Sequence, residues 1–173
     1  MISDKVSLII ALLLAAGKGF HVTINDISQC EESQIELGEL TVEVSKAQPF
    51  DQTVTGKLIL PMALDEDAVL AYKAEFWDQN LQTWKKLYIG QRSVCESLVK
   101  SIPYGNFADE TNFPSKCPIP QGVYELHNVP ISGQYVVFNT INGVAPLVKH
   151  HLALLQAGQL ILCRIITTLS HEE

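Results

Sequence analysis

Ala71-Tyr72-Lys73-Ala74-Glu75-Phe76-Trp77 changes character residue by residue: Tyr72, Ala74 and Phe76 fall on one side, Lys73 and Glu75 on the other. A period of two belongs to an extended strand, and here it predicts one dry face and one wet face. Asp78-Gln79-Asn80 reads as a turn into a second β-rich run at 84–89, so Trp77 and Trp84 flank a hairpin. Short runs rich in β-branched and aromatic residues recur at 41–45, 54–60, 123–127, 135–140, 148–155 and 160–169. Turn residues separate most of them, and Ala157-Gly158 turns the last hairpin. This spacing predicts an all-β sandwich or barrel. The chain shows no internal repeat and no low-complexity tract.

Two segments depart from simple alternation. In 160–169, Ile161, Cys163, Ile165 and Leu169 share one side while Leu160, Leu162 and Ile166 crowd the other. A strand apolar on both faces is covered on both, or turns one face to an apolar chamber. The other segment, 93–101, predicts the single helix. Ser93 caps its first turn, Glu96 stands three residues on as in a capping box, and Ile102-Pro103 ends it. A loop follows from Tyr104 to Lys116.

Residues 1–19 read as a secretory leader. Lys5 supplies a basic start, 6–16 is apolar, and Ala15-Ala16-Gly17-Lys18-Gly19 offers small residues for cleavage near Phe20. The apolar run is too short for a bilayer, which needs about 20 such residues. The later run 160–166 is broken by Arg164. Residues 20–173 are then one domain, large enough for a core. In an oxidising compartment Cys30, Cys95, Cys117 and Cys163 form disulfides, with three pairings open to four cysteines. None of the seven asparagines is followed by x-Ser/Thr. Lysosomal delivery through a mannose-phosphate tag needs such a glycan, so plain secretion is favoured.

The formal charge is −7 and, without residues 1–19, about −8, from eighteen acidic and ten basic side chains. That balance repels nucleic acid and offers no polybasic grip on anionic membranes. Catalytic and metal signatures are missing from the sequence. No G-x-S-x-G elbow, no H-E-x-x-H and no phosphate-cradling glycine loop occurs. His150 and His151 are adjacent on a strand and point to opposite faces, which argues against a shared metal and for one inward histidine. Glu31-Glu32 and Asp65-Glu66-Asp67 read as solvated turns. No cofactor is expected.

Cys95-Glu96-Ser97-Leu98, with Phe113-Pro114-Ser115-Lys116-Cys117-Pro118-Ile119-Pro120-Gln121-Gly122-Val123-Tyr124, resembles the GM2-activator-like branch of the MD-2-related lipid-recognition family, in its insect secreted form. The resemblance runs from an early cysteine through the Trp hairpin and the Cys-helix-loop-Cys-Pro unit to a late cysteine. It implies an immunoglobulin-like β-cup, an antiparallel β-sandwich whose sheets part around an internal lipid cavity. It also implies bridges Cys30–Cys163 and Cys95–Cys117. The GM2 activator carries further cysteines with no counterpart here, which leaves the loop between Cys95 and Cys117 less constrained.

The function expected from this resemblance is a secreted, non-enzymatic lipid-binding or lipid-transfer protein for a lipid or glycolipid. Candidate lipid-binding residues are Tyr72, Phe76, Trp84, Leu87, Leu126, Phe138, Leu152, Leu154 and Ile165, each with ordinary core packing as its competitor. Enlarging Ala74 to Trp is expected to lower uptake. Trp77 and Trp84 suit transient contact with a membrane surface, since indole favours a half-wet site. Two other classes compete: a sphingolipid-activator-type cofactor presenting lipid to a hydrolase or receptor, and a hydrolase assembled from scattered residues.

Overall fold

The computed structural model describes residues 20–31, 35–45, 52–96, 112–114, 116–130 and 146–172. Eight strands run through them in chain order: β1 (Phe20–Gln29), β2 (Glu39–Val44), β3 (Thr53–Leu60), β4 (Ala68–Asp78), β5 (Thr83–Ser93), β6 (Gly122–Pro130), β7 (Leu147–Gln156) and β8 (Gln159–Glu172). They pair antiparallel into two sheets, β1-β8-β7-β4-β5 and β2-β3-β6. The sheets pack together as a sandwich, one of the two architectures that the strand spacing predicts.

Seven sequence runs coincide with β2 to β8, apart from a few residues at their ends. The run 135–140, the leader and Phe138 lie outside the described residues. Strand β1 was not foreseen, and its register shows why. The ladder to β8 shifts between Ile24 and Asp26, so Val22, Ile24 and Ile27 share a face at spacings of two and then three. A bulge hides the period that betrays a strand. The helix is described only at 94–96, where Ser93 Oγ accepts from the Glu96 amide at 3.3 Å. The last hairpin turns on Ala157 (φ 49°) and Gly158 (φ 78°), two left-handed residues as a tight two-residue hairpin requires.

Register assigns the faces. Leu70, Tyr72, Ala74 and Phe76 stand opposite Leu154, Leu152, His150 and Val148 of β7. These in turn stand opposite Leu162, Arg164, Ile166 and Thr168 of β8. In the small sheet Leu40, Val42 and Val44 stand opposite Leu58, Gly56 and Val54, which continue to Tyr124, Leu126 and Val129. These two faces look at each other. At one end they close on Leu60, Leu64, Ala68, Ile119, Tyr124, Ile161 and Leu162. Tyr124 stays inside because its hydroxyl donates to the Pro120 carbonyl at 2.6 Å.

The doubly apolar character of β8 has a local cause. Its ladder to β7 shifts between Leu154 and Leu155, where Ile161 is the extra residue, and both Ile161 and Leu162 are buried. Beyond the end of β1 the neighbour of β8 changes. Leu37 and Gly38 donate to the carbonyls of Leu160 and Ile161, at 3.3 and 2.9 Å, and carry the chain across to the small sheet. Gly38 fits because a Cβ there would come within 2.9 Å of the Ile59 carbonyl oxygen. The bridges are Cys30–Cys163 and Cys95–Cys117, the pairing that the family resemblance implies. The first fastens this crossing. No helix among the described residues is long and apolar enough to cross a membrane.

Candidate functional site

Away from the closed end the sheets leave a cleft of about 700 Å³ between them. Residues 27–29 of β1 and Arg164 of β8 line it from the large sheet; residues 40–43, 55–57 and 125–127 line it from the small one. The row Val42–Gly56–Leu126 crosses the small sheet there, and Gly56 adds no side chain to it. A Cβ on Gly56 would run into the Thr41 carbonyl oxygen, so the neighbouring backbone occupies the space a side chain would need. The apolar part of the lining is Ile27, Leu40, Val42 and Leu126; Glu43, Lys57, Glu125 and His127 are exposed.

Two polar clamps hold β1 and β8 of the large sheet, and the second of them stands in the cleft wall. At one end, beside the β1 bulge and on the free edge of the sheet, Gln52 takes both backbone groups of Ile24. The Gln52 Oε1 accepts from the Ile24 amide at 2.7 Å, while its Nε2 donates to the Ile24 carbonyl at 3.0 Å. At the other end Arg164 Nη1 reaches both Glu36 oxygens, at 2.7 and 2.8 Å, and the Cys163 carbonyl at 2.6 Å. Its Nη2 donates to the Leu40 carbonyl at 3.3 Å. Glu36 Oε1 also accepts from the Cys163 amide at 2.7 Å, a donor left over where β1 ends. The side chains of this ion pair are 14% and 8% exposed, so the pair is screened little by water.

The nominated lipid contacts do not fall at one place. Leu126 lines the cleft. Tyr72, Phe76 and Leu87 pack around the fully buried Ala74 and Val148, and Leu154 packs against the closed core. Leu152 stands on the inner face between Tyr72 and Arg164. Trp84 and Ile165 stand on the outer face of the large sheet, Trp84 paired with Trp77 and Ile165 one residue out of step with Arg164. Phe138 lies outside the described residues. The sequence reasoning missed Ile27, Leu40, Val42 and Arg164. Leu40 and Val42 carry a period-two signal at 40–42–44, whereas Ile27 was concealed by the bulge.

His150 is the inward histidine and His151 the outward one. His150 is fully buried, with Nδ1 2.7 Å from the Tyr72 hydroxyl and Nε2 2.8 Å from Thr168 Oγ1. A neutral imidazole satisfies both contacts, with the Tyr72 hydroxyl donating to Nδ1 and Nε2–H donating to Thr168. Burial, helped by the charge of His151, lowers the His150 pKa to about 4. Burial also pushes the Tyr72 phenol up, with Tyr88 adding to it. On the outer face His151 Nε2 lies 2.8 Å from Glu75 and Lys73 Nζ lies 2.7 Å from it. Partial burial pushes the Glu75 carboxyl up, but the bonds from Lys73 and His151 outweigh it and hold the group below its ordinary value.

Trp77 and Trp84 meet edge to face at 5.4 Å, with Lys149 Nζ 4.3 Å above the Trp84 ring. That contact is a cation–π pair on the outer surface. Among the described residues no three His, Cys, Asp or Glu side chains converge as metal ligands.

No curated protein matches this chain. Over residues 72–143, which take in the Trp77–Trp84 hairpin, Cys95 and Cys117, it is similar to a family described as protein of unknown function (DUF1091).

Proposed function

We propose that this protein is a secreted, non-enzymatic carrier that holds a hydrophobic ligand between its sheets, as a GM2-activator-like member of the MD-2-related lipid-recognition family. The observation that carries the proposal is the intersheet cleft. Its volume of about 700 Å³ falls inside the range of small-molecule sites, about 300–1,000 Å³. Each methylene moved from water onto Ile27, Leu40, Val42 and Leu126 contributes about 0.8 kcal/mol, which binds an alkyl chain without catalytic groups. The two bridges agree with the family's pairing and with an oxidising compartment. The Trp77–Trp84–Lys149 patch suits transient contact with a membrane surface during loading or release.

The test is mass spectrometry of organic extracts from purified protein, alongside Val42→Trp, which fills the cleft. Ala74 is not a useful position, because it is packed out against Val148. A co-purifying lipid that is lost in Val42→Trp supports the carrier. A protein that takes up no amphiphile, or one whose uptake is indifferent to Val42→Trp, refutes the cleft as its site.

A further inference from the structure

We propose that the cleft selects neutral amphiphiles with hydrogen-bond-accepting heads, alcohols or esters, over fatty anions. This rests on the carrier proposal above and specifies its ligand class. An arginine in the wall of a partly apolar cleft would ordinarily capture a carboxylate. Here that position is taken, because both Glu36 oxygens lie on Arg164 Nη1 at 2.7 and 2.8 Å.

The remaining charges point the same way. Glu36 cancels the charge of Arg164, and of the exposed charged side chains at the cleft Lys57 is positive while Glu43 and Glu125 are negative. A ligand carboxylate entering there meets like charge and loses its water without gaining a free cation. A neutral oxygen meets a different situation. Guanidinium has five N–H donors, and Nη2 uses one on Leu40 at 3.3 Å. Among the described residues nothing accepts from Nε. Donors therefore remain for a hydroxyl or ester oxygen, while Ile27, Val42 and Leu126 take the tail.

The full, disulfide-intact chain loaded with the neutral dye Nile red tests this, with lauryl alcohol, methyl laurate and sodium laurate as competitors near neutral pH. The alcohol and ester should displace the dye at concentrations about tenfold lower than laurate. Glu36→Gln, which removes the counter-charge and leaves Arg164 free to pair, should bring laurate level with the alcohol or tighter. Laurate that competes as well as the alcohol on the unaltered protein overturns the neutral selectivity and leaves the carrier standing. A protein that binds neither dye nor competitors removes the carrier and the selectivity together. Should Glu36→Gln fail to fold, the comparison on the unaltered protein decides alone.

Discussion

Burial of neutral His150 makes stability depend on pH below the ordinary range of histidine. Its pKa is lowered to about 4 in the folded protein, while an unfolded histidine titrates near 6.5. Above about pH 6.5 neither state holds the proton, and this group contributes no slope. Below it the unfolded chain takes up a proton that the folded chain refuses. Stability then falls by about 1.4 kcal/mol per pH unit, reaching roughly 3 kcal/mol near pH 4. Urea unfolding followed by tryptophan fluorescence should show a loss of about 2 kcal/mol between about pH 7 and about pH 5. His150→Gln keeps a donor and an acceptor for Tyr72 and Thr168 but does not titrate, so its loss over that interval should be smaller by that amount. Asp65, Glu75 and Asp78 are held below their ordinary values. Their contributions fade only as pH falls below the usual carboxylate range of about 4. Equal losses in the two proteins would refute the assignment of a buried neutral imidazole.

Other substitutions have defined expectations. Replacing Cys30 and Cys163 by serine opens a loop of 133 residues and should cost about 5 kcal/mol, against about 3 kcal/mol for Cys95 and Cys117; comparable urea midpoints for the two variants would contradict the chain-entropy argument. Leu60→Ala removes a side chain only 2% exposed and should destabilise by about 2–5 kcal/mol in the same assay. Gln52→Ala strands the backbone groups of Ile24, with an expected loss of about 1–3 kcal/mol and faster hydrogen exchange at the Ile24 amide; unchanged exchange would show that the clamp is not holding the bulge. Gly56→Ala forces a Cβ against the Thr41 carbonyl and should cost about 1–3 kcal/mol by thermal or urea melts.

Legibility differed between strands for physical reasons. β2 to β8 announce themselves through alternation or through runs of branched side chains, because a half-buried strand selects its residues two at a time. β1 does not, since its bulge breaks the period between Ile24 and Asp26. The inward His150 was legible from its adjacency to His151, because neighbours on a strand must part. The candidate ligand contacts were harder. Tyr72, Phe76 and Leu87 have the right apolar character, yet they fill a packed cluster around Ala74 and Val148. Apolarity alone does not separate a wall of a void from a wall of a core.

Local sequence by itself determined the β class, the two hairpin turns, the Ser93 cap and the opposite facing of His150 and His151, since each depends on neighbours a few residues apart. Tertiary structure alone decided where the two sheets separate. That depends on long-range register, on Gly56 leaving a row of the small sheet without a side chain, and on Glu36 reaching Arg164 across 128 positions of chain. Such pairings are chosen by the summed fit of distant surfaces, and no short window of residues encodes that sum.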